Sequence, residues 1–159
     1  MNSHQLSDVT LPELGTGTGL VLIGFRASVF GQAGCFCVQS GFAASFGQDA
    51  RPILVDILTC ARVLGEEGTR KIGLSAPGQS RMTRDEVSLV CAFSAAQAWD
   101  HVALAAHLSW LADRPAAPRL IEVITTIADD FAGFGLAIHA PLAARCVPAG
   151  TTPAFRLVG

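Results

Sequence analysis

The chain has 159 residues and a net charge of −2, and its residues are 50% hydrophobic but only 15% charged. This length is typical of a single domain whose core needs no disulfide or metal staple. The cations are scattered, whereas nucleic acid binding needs a basic stripe, so no nucleic acid partner is expected. No membrane association is expected either, because the longest uncharged stretch, 27–48, is interrupted by four glycines.

The cysteine count and the first residues bear on the compartment. Five cysteines, an odd number, do not form a secreted disulfide framework at this length, and residues 1–10 lack the layout of a signal peptide. We therefore expect a cytoplasmic protein. Ten arginines against one lysine, with abundant alanine, are typical of a GC-rich bacterial genome. The apolar excess favours a homo-oligomer, with a protein partner as a further option, unless the alanines alone account for that excess.

The N-terminal region is rich in glycine. Residues 1–19 end in Gly15-Thr-Gly-Thr-Gly19 and predict a flexible tail and linker. A phosphate-binding loop would need a preceding strand or a Gly-Lys-Ser/Thr ending, and neither is present. The next segment, 20–30, is apolar and fits either a buried strand or a helix.

Five later segments have helical patterns. A capping box, Thr83-Arg-Asp-Glu86, marks the clearest helix start, and this helix should be central because its apolar face is wide. Short connections predict that the last three helices pack as antiparallel neighbours. The predicted helices cover 38–46, 52–64, 84–98, 101–112 and 118–132.

These patterns together predict a mainly α protein, a compact bundle of about five helices with a short extended segment at Lys71–Ser75. The single helical domain should cover 20–145, followed by an irregular tail over 146–159. The alternative is an α+β fold in which Lys71–Ser75 pairs with Leu20–Phe25 and Leu136–Ala140 in a small sheet.

Cys35-Phe36-Cys37 contains the most closely spaced cysteine pair. One intervening residue is tighter than the usual C-x₂₋₄-C spacing of zinc sites, and no second ligand pair follows. A histidine from elsewhere in the fold would complete a zinc or iron site. The candidates are His101, His107 and His139, of which we choose His107. A thiolate sensor on a glycine-rich turn is another interpretation, and simple packing of the cysteines is a third.

Other polar and aromatic residues give weaker indications. His107 lies seven residues after Asp100 on one helical stripe, but no nucleophile accompanies the pair. Asp129-Asp130 falls in a last helical turn, where the dipole disfavours negative charge, so a cationic partner is expected. Trp99 and Trp110 bracket the 101–112 helix and are predicted interface residues.

Because no catalytic set converges, the sequence favours a non-catalytic helical interaction or regulatory module that self-associates and needs no cofactor. The alternative is a small metal- or thiol-dependent enzyme or sensor that uses Cys35 and Cys37 with a histidine. A binder of small molecules between helices is a third class, for which no residue indicates a ligand.

Overall fold

The computed structural model describes residues 11–141. Within this range the chain forms α-helices, two short 3₁₀ turns and no strand, so the mainly α prediction is confirmed and the small-sheet alternative is wrong. Lys71–Ser75 is irregular and pairs with neither proposed strand. The helices are α1 (Gly15–Val29), α2 (Phe36–Phe46), α3 (Ala50–Glu67), α4 (Arg84–Gln97), α5 (His101–Ala112) and α6 (Pro118–Gly133).

The glycine run that predicted a linker forms the first turns of α1 instead. A Cβ atom on Gly17 would come within 2.3 Å of the carbonyl oxygen of Ala137, so glycine permits a close approach of two backbones. Thr18 is fully buried, and its hydroxyl donates to the His139 carbonyl (3.2 Å) and accepts from the His139 amide (2.8 Å). The linker prediction is therefore wrong for 15–19, while residues 1–10 and the predicted tail, 146–159, lie outside the described residues.

Helix α4 occupies the centre, as its apolar pattern predicts. It packs against α5, α6 and α1, and edge-to-face rings of Phe25 and Phe93 lie 5.9 Å apart in the core. The capping box is confirmed, because Thr83 Oγ1 accepts from the Glu86 amide (3.1 Å) and a Glu86 oxygen accepts from the Thr83 amide (2.8 Å). No helix within the described range is long and apolar enough to span a membrane.

A buried ion pair joins α1 to the start of α4. Arg26 and Glu86 are 2% and 0% exposed, and their side chains meet in two hydrogen bonds of 2.6 and 3.0 Å. Arg26 also donates to the carbonyl oxygens of Gln79 (2.6 Å) and Arg81 (3.1 Å), which fixes the irregular segment before α4. Burying unpaired charge is very costly, and these partners are what permits the ion pair inside the core.

Candidate thiol site at the start of helix α2

The two close cysteines lie on the turn that leads from α1 into α2. Cys35 is the N-cap residue of α2 with extended backbone angles, and Cys37 is in its first turn. The turn is held by backbone hydrogen bonds from the Gln32 amide to the Ala27 carbonyl (2.7 Å) and from the Cys35 amide to the Gln32 carbonyl (2.9 Å). The sulfur atoms are therefore presented by an ordered turn at a helix start.

The sulfur atoms of this pair are in direct contact. Cys35 Sγ and Cys37 Sγ lie 2.6 Å apart as free thiols, and a disulfide bond needs about 2.0 Å. Cys35 is half-buried, Cys37 is exposed, and Phe36 between them is 85% exposed. Both the bond between the sulfurs and attack by an external thiol are therefore geometrically accessible.

The hydrogen bond between the two thiols makes them unequal. The pKa of Cys35 is lowered, first because the Cys37 thiol donates a hydrogen bond to it, and then because the backbone amides of Cys37 and Val38 favour its negative charge. The neutral Cys35 thiol makes no capping hydrogen bond, so these amides are available to the thiolate. The pKa of Cys37 is raised, first because its thiol donates to Cys35. Cys35 is accordingly the better thiolate and the better leaving group.

A cavity of about 360 Å³ adjoins this site. Cys37 lies in its wall, together with Ile23 of α1 and Pro77 of the loop before α4. These wall residues come from segments far apart in the sequence. The pattern of a single segment therefore could not have indicated the cavity, although the spacing of the cysteines did indicate the thiol pair.

His107, the predicted third metal ligand, faces another part of the fold. It is 8% exposed, and its Nδ1 atom lies 3.2 Å from the Ser88 hydroxyl of α4. Burial lowers its pKa, against the opposing effect of the Asp100 charge. Within residues 11–141 no three His, Cys, Asp or Glu side chains are grouped so that they could hold a metal. The predicted zinc or iron set of Cys35, Cys37 and His107 is therefore not assembled in this part of the chain.

The two tryptophans differ in how exposed they are. Trp99 precedes the first turn of α5 and is 64% exposed. Trp110 is in the last turn of the same helix, which the rise of an α-helix places roughly 16 Å further along the axis. The Arg70 guanidinium lies 4.5 Å from the centre of the Trp110 indole ring and covers one face of it, and Trp110 is 38% exposed. Of the pair predicted at an interface, Trp99 is the more accessible.

The sequence suggested a cationic partner for the acidic pair near the end of α6, and residues 11–141 supply none. Among the described residues no ion pair forms with Asp129 or Asp130. The pKa of Asp130 is raised, first by partial burial and then by the charges of Asp56, Asp129 and Asp49. This group is a site of repulsion between carboxylates.

Comparisons with protein-family models, curated proteins and solved structures found no significant match. Architecture and site alone therefore define the class of protein. It is an all-helical domain, over the described residues, in which a half-buried thiol and an exposed thiol are in contact at a helix start.

Proposed function

We propose that this protein is a thiol–disulfide switch, in which Cys35 and Cys37 interconvert between a dithiol and an intramolecular disulfide. The observation that carries the proposal is the 2.6 Å separation of the two sulfur atoms at the N-terminus of α2. Such a switch fits the regulatory role that the sequence favours, and it requires no metal.

The inequality of the thiols gives the exchange a direction. A thiolate is the reactive form in thiol–disulfide exchange, and the thiol with the lower pKa also leaves faster. Cys35 therefore leaves when an external thiol attacks the disulfide at Cys37, and in the reverse direction the Cys35 thiolate closes the disulfide by attacking a mixed disulfide on Cys37. Cys60 and Cys91 are buried, and desolvation raises the pKa of Cys60, so these two thiols are poor competitors.

A redox titration of the full chain tests the switch. The protein carries Cys146→Ser, is equilibrated in glutathione buffers, and is alkylated under acid quench before mass spectrometry. We expect a reversible loss of two hydrogen atoms that maps to the 35–37 segment, with a midpoint between roughly −270 and −120 mV. The matched control, Cys60→Ala, should titrate in the same way.

Two outcomes would contradict the switch. One is that Cys35 and Cys37 stay reduced even in fully oxidised glutathione. The other is that oxidation links only different chains. Cys37→Ser identifies the reacting pair, because the intramolecular bond must disappear in this variant.

A self-associating interaction module is the second candidate, and the start of α5 favours it. Trp99 and Val102 are 64% and 82% exposed, and Trp99 has a left-handed backbone with φ of 56°. This conformation is costly for a bulky residue, and such strain concentrates at functional positions. The proposed occupant of this surface is a second copy of the chain.

Sedimentation equilibrium over a wide concentration range tests the self-association. Changing both Trp99 and Val102 to alanine should weaken the assembly, whereas Trp110→Ala should not, because Arg70 already covers that ring. A monomer at every concentration would exclude this candidate, and a dimer unaffected by the double change would exclude the surface.

A further inference from the structure

The cavity beside Cys37 has walls that are apolar and held in place. Ile23 and Val38 contribute from α1 and α2, and the loop 77–80 also lines the cavity. That loop is fixed by the hydrogen bond from Arg26 to the Gln79 carbonyl (2.6 Å) and by one from the Leu11 amide to the Ser80 carbonyl (3.1 Å). The volume of about 360 Å³ is within the range of sites that hold small ligands.

The charge of the cavity selects against ionic ligands. Arg26 is the charged residue in its lining, and its guanidinium is already neutralised by two hydrogen bonds to Glu86. An anionic or cationic ligand would lose hydration here without gaining an unpaired countercharge. The complementary occupant is therefore uncharged and apolar.

The position of the sulfur atoms indicates which reactive group a ligand in the cavity would carry. Cys37 lies in the cavity wall, and Cys35 Sγ is 2.6 Å from Cys37 Sγ on the side of the helix start. We infer that the cavity binds a small, uncharged, apolar thiol, which exchanges with the oxidised pair at the sulfur of Cys37. This inference rests on the proposed switch and names its substrate class.

The exchange balances as two successive displacements. The bound thiol loses its proton to solvent and attacks Cys37 Sγ; the Cys35–Cys37 bond breaks, and its electron pair leaves on Cys35. The amides at the start of α2 stabilise that leaving thiolate. A second thiol then attacks the ligand sulfur of the mixed disulfide and releases Cys37 as a thiolate. Two thiols become one organic disulfide, and the protein disulfide takes up their two electrons.

The test measures how fast two thiols reduce the oxidised protein. The full chain carrying Cys146→Ser is oxidised with hydroxyethyl disulfide and desalted. It then reacts with benzyl mercaptan or with 2-mercaptoethanesulfonate, which is anionic. The same two thiols also reduce hydroxyethyl disulfide, a reference disulfide that has no cavity. The ratio of the two rates on the protein is then divided by the ratio of the two rates on this reference. We expect a preference of about tenfold for benzyl mercaptan, because its ring loses contact with water in the cavity.

A pair of matched variants locates the preference. Ile23→Glu places a charge in the wall at a position that is 42% exposed, and Val55→Glu places one at a position on α3 that is 50% exposed. The preference should fall towards one in Ile23→Glu and persist in Val55→Glu. Acid-quenched mapping of the unsubstituted pair should also find the benzyl group on Cys37.

The outcomes separate the inference from the switch itself. If the oxidised pair forms and is reduced without preference, or if the benzyl group maps to Cys35, the cavity inference is wrong and the switch stands. An equal loss of preference in both glutamate variants would also overturn it. If no intramolecular disulfide forms during oxidation, the switch and the inference built on it are both wrong.

Discussion

The N-termini of α4 and α2 differ in how their free backbone amides are used. At α4, Thr83 and Glu86 satisfy the free backbone amides, and Glu86 also neutralises the buried Arg26. At α2, the Cys35 thiol makes no capping hydrogen bond, and the nearby amides instead favour its ionised form. The start of α4 therefore contributes to stability. The start of α2 retains unsatisfied backbone N–H donors, which can stabilise a reactive thiolate.

The largest expected effect concerns the α4 terminus. Glu86→Ala should lower the free energy of unfolding by about 3–5 kcal/mol, because it leaves the Arg26 charge buried without its partner. Urea denaturation followed by circular dichroism measures the change. Replacing both partners, with Arg26→Met and Glu86→Leu, should recover part of the loss. A cost below about 1 kcal/mol for the single change would show that the pair does not anchor this terminus.

The start of α1 provides a third helix terminus for comparison. Gly17→Ala should cost roughly 1–3 kcal/mol, because the new methyl group meets the Ala137 carbonyl oxygen. Gly19→Ala, two residues along the same helix, meets no atom within 4 Å and should stabilise the fold by up to about 1 kcal/mol. Thermal unfolding of the two variants checks the contrast, and equal shifts of the same sign would contradict it.

Removal of the two caps compares α4 and α2 directly. Thr83→Ala should cost about 1 kcal/mol, because it deletes a capping hydrogen bond of 3.1 Å. Cys35→Ala should cost less than about 0.5 kcal/mol, since the thiol makes no such bond, yet it must abolish the intramolecular disulfide. Denaturation of both reduced variants measures these costs. A larger loss at Cys35 than at Thr83 would mean that the sulfur has a structural role.

The smallest expected effect is a pH dependence from His107. Its pKa is lowered in the fold, first by burial, so the unfolded chain binds a proton more readily. This contribution to stability is complete above the unfolded pKa of about 6.5, and it is lost as the pH falls below that value. Denaturation at about pH 7.5 and 5.5 should show the loss in the unaltered chain and a weaker one in His107→Gln. Identical losses would assign the effect to other groups.

Local rules in the sequence predicted some of these features well. The capping box spans four consecutive residues, so its pattern alone located the start of α4, and the spacing of Cys35 and Cys37 likewise indicated a thiol pair. Arg26 and Glu86, in contrast, are 60 residues apart, and no periodic pattern connects them. Glycine is required at position 17 because the backbone of Ala137 comes close to it, and nothing local in the sequence indicates that contact. The glycine run was therefore predicted to be a linker although it begins a packed helix.

The candidate site shows the same division between local and distant contacts. The inequality of the two thiols follows from their contact with each other, which is a local contact because one residue separates them in the sequence. The orientation of His107 towards Ser88 depends on how α5 packs against α4, so the sequence could not exclude it as a ligand. The cavity wall beside Cys37 combines α1, α2 and a loop, and only the tertiary structure brings them together.

Contact with Cys37 at the start of α2 makes Cys35 the more reactive thiolate in the proposed switch, and site-resolved alkylation measures this most directly. The reduced chain reacts with iodoacetamide across a pH series, and mass spectrometry separates modification at Cys35 from modification at Cys37. We predict that Cys35 reacts first and at lower pH, and that Cys37→Ala raises the pH it requires, because this change removes the hydrogen bond that stabilises the Cys35 thiolate most. Faster reaction at Cys37, or equal pH profiles for both thiols, would contradict the account.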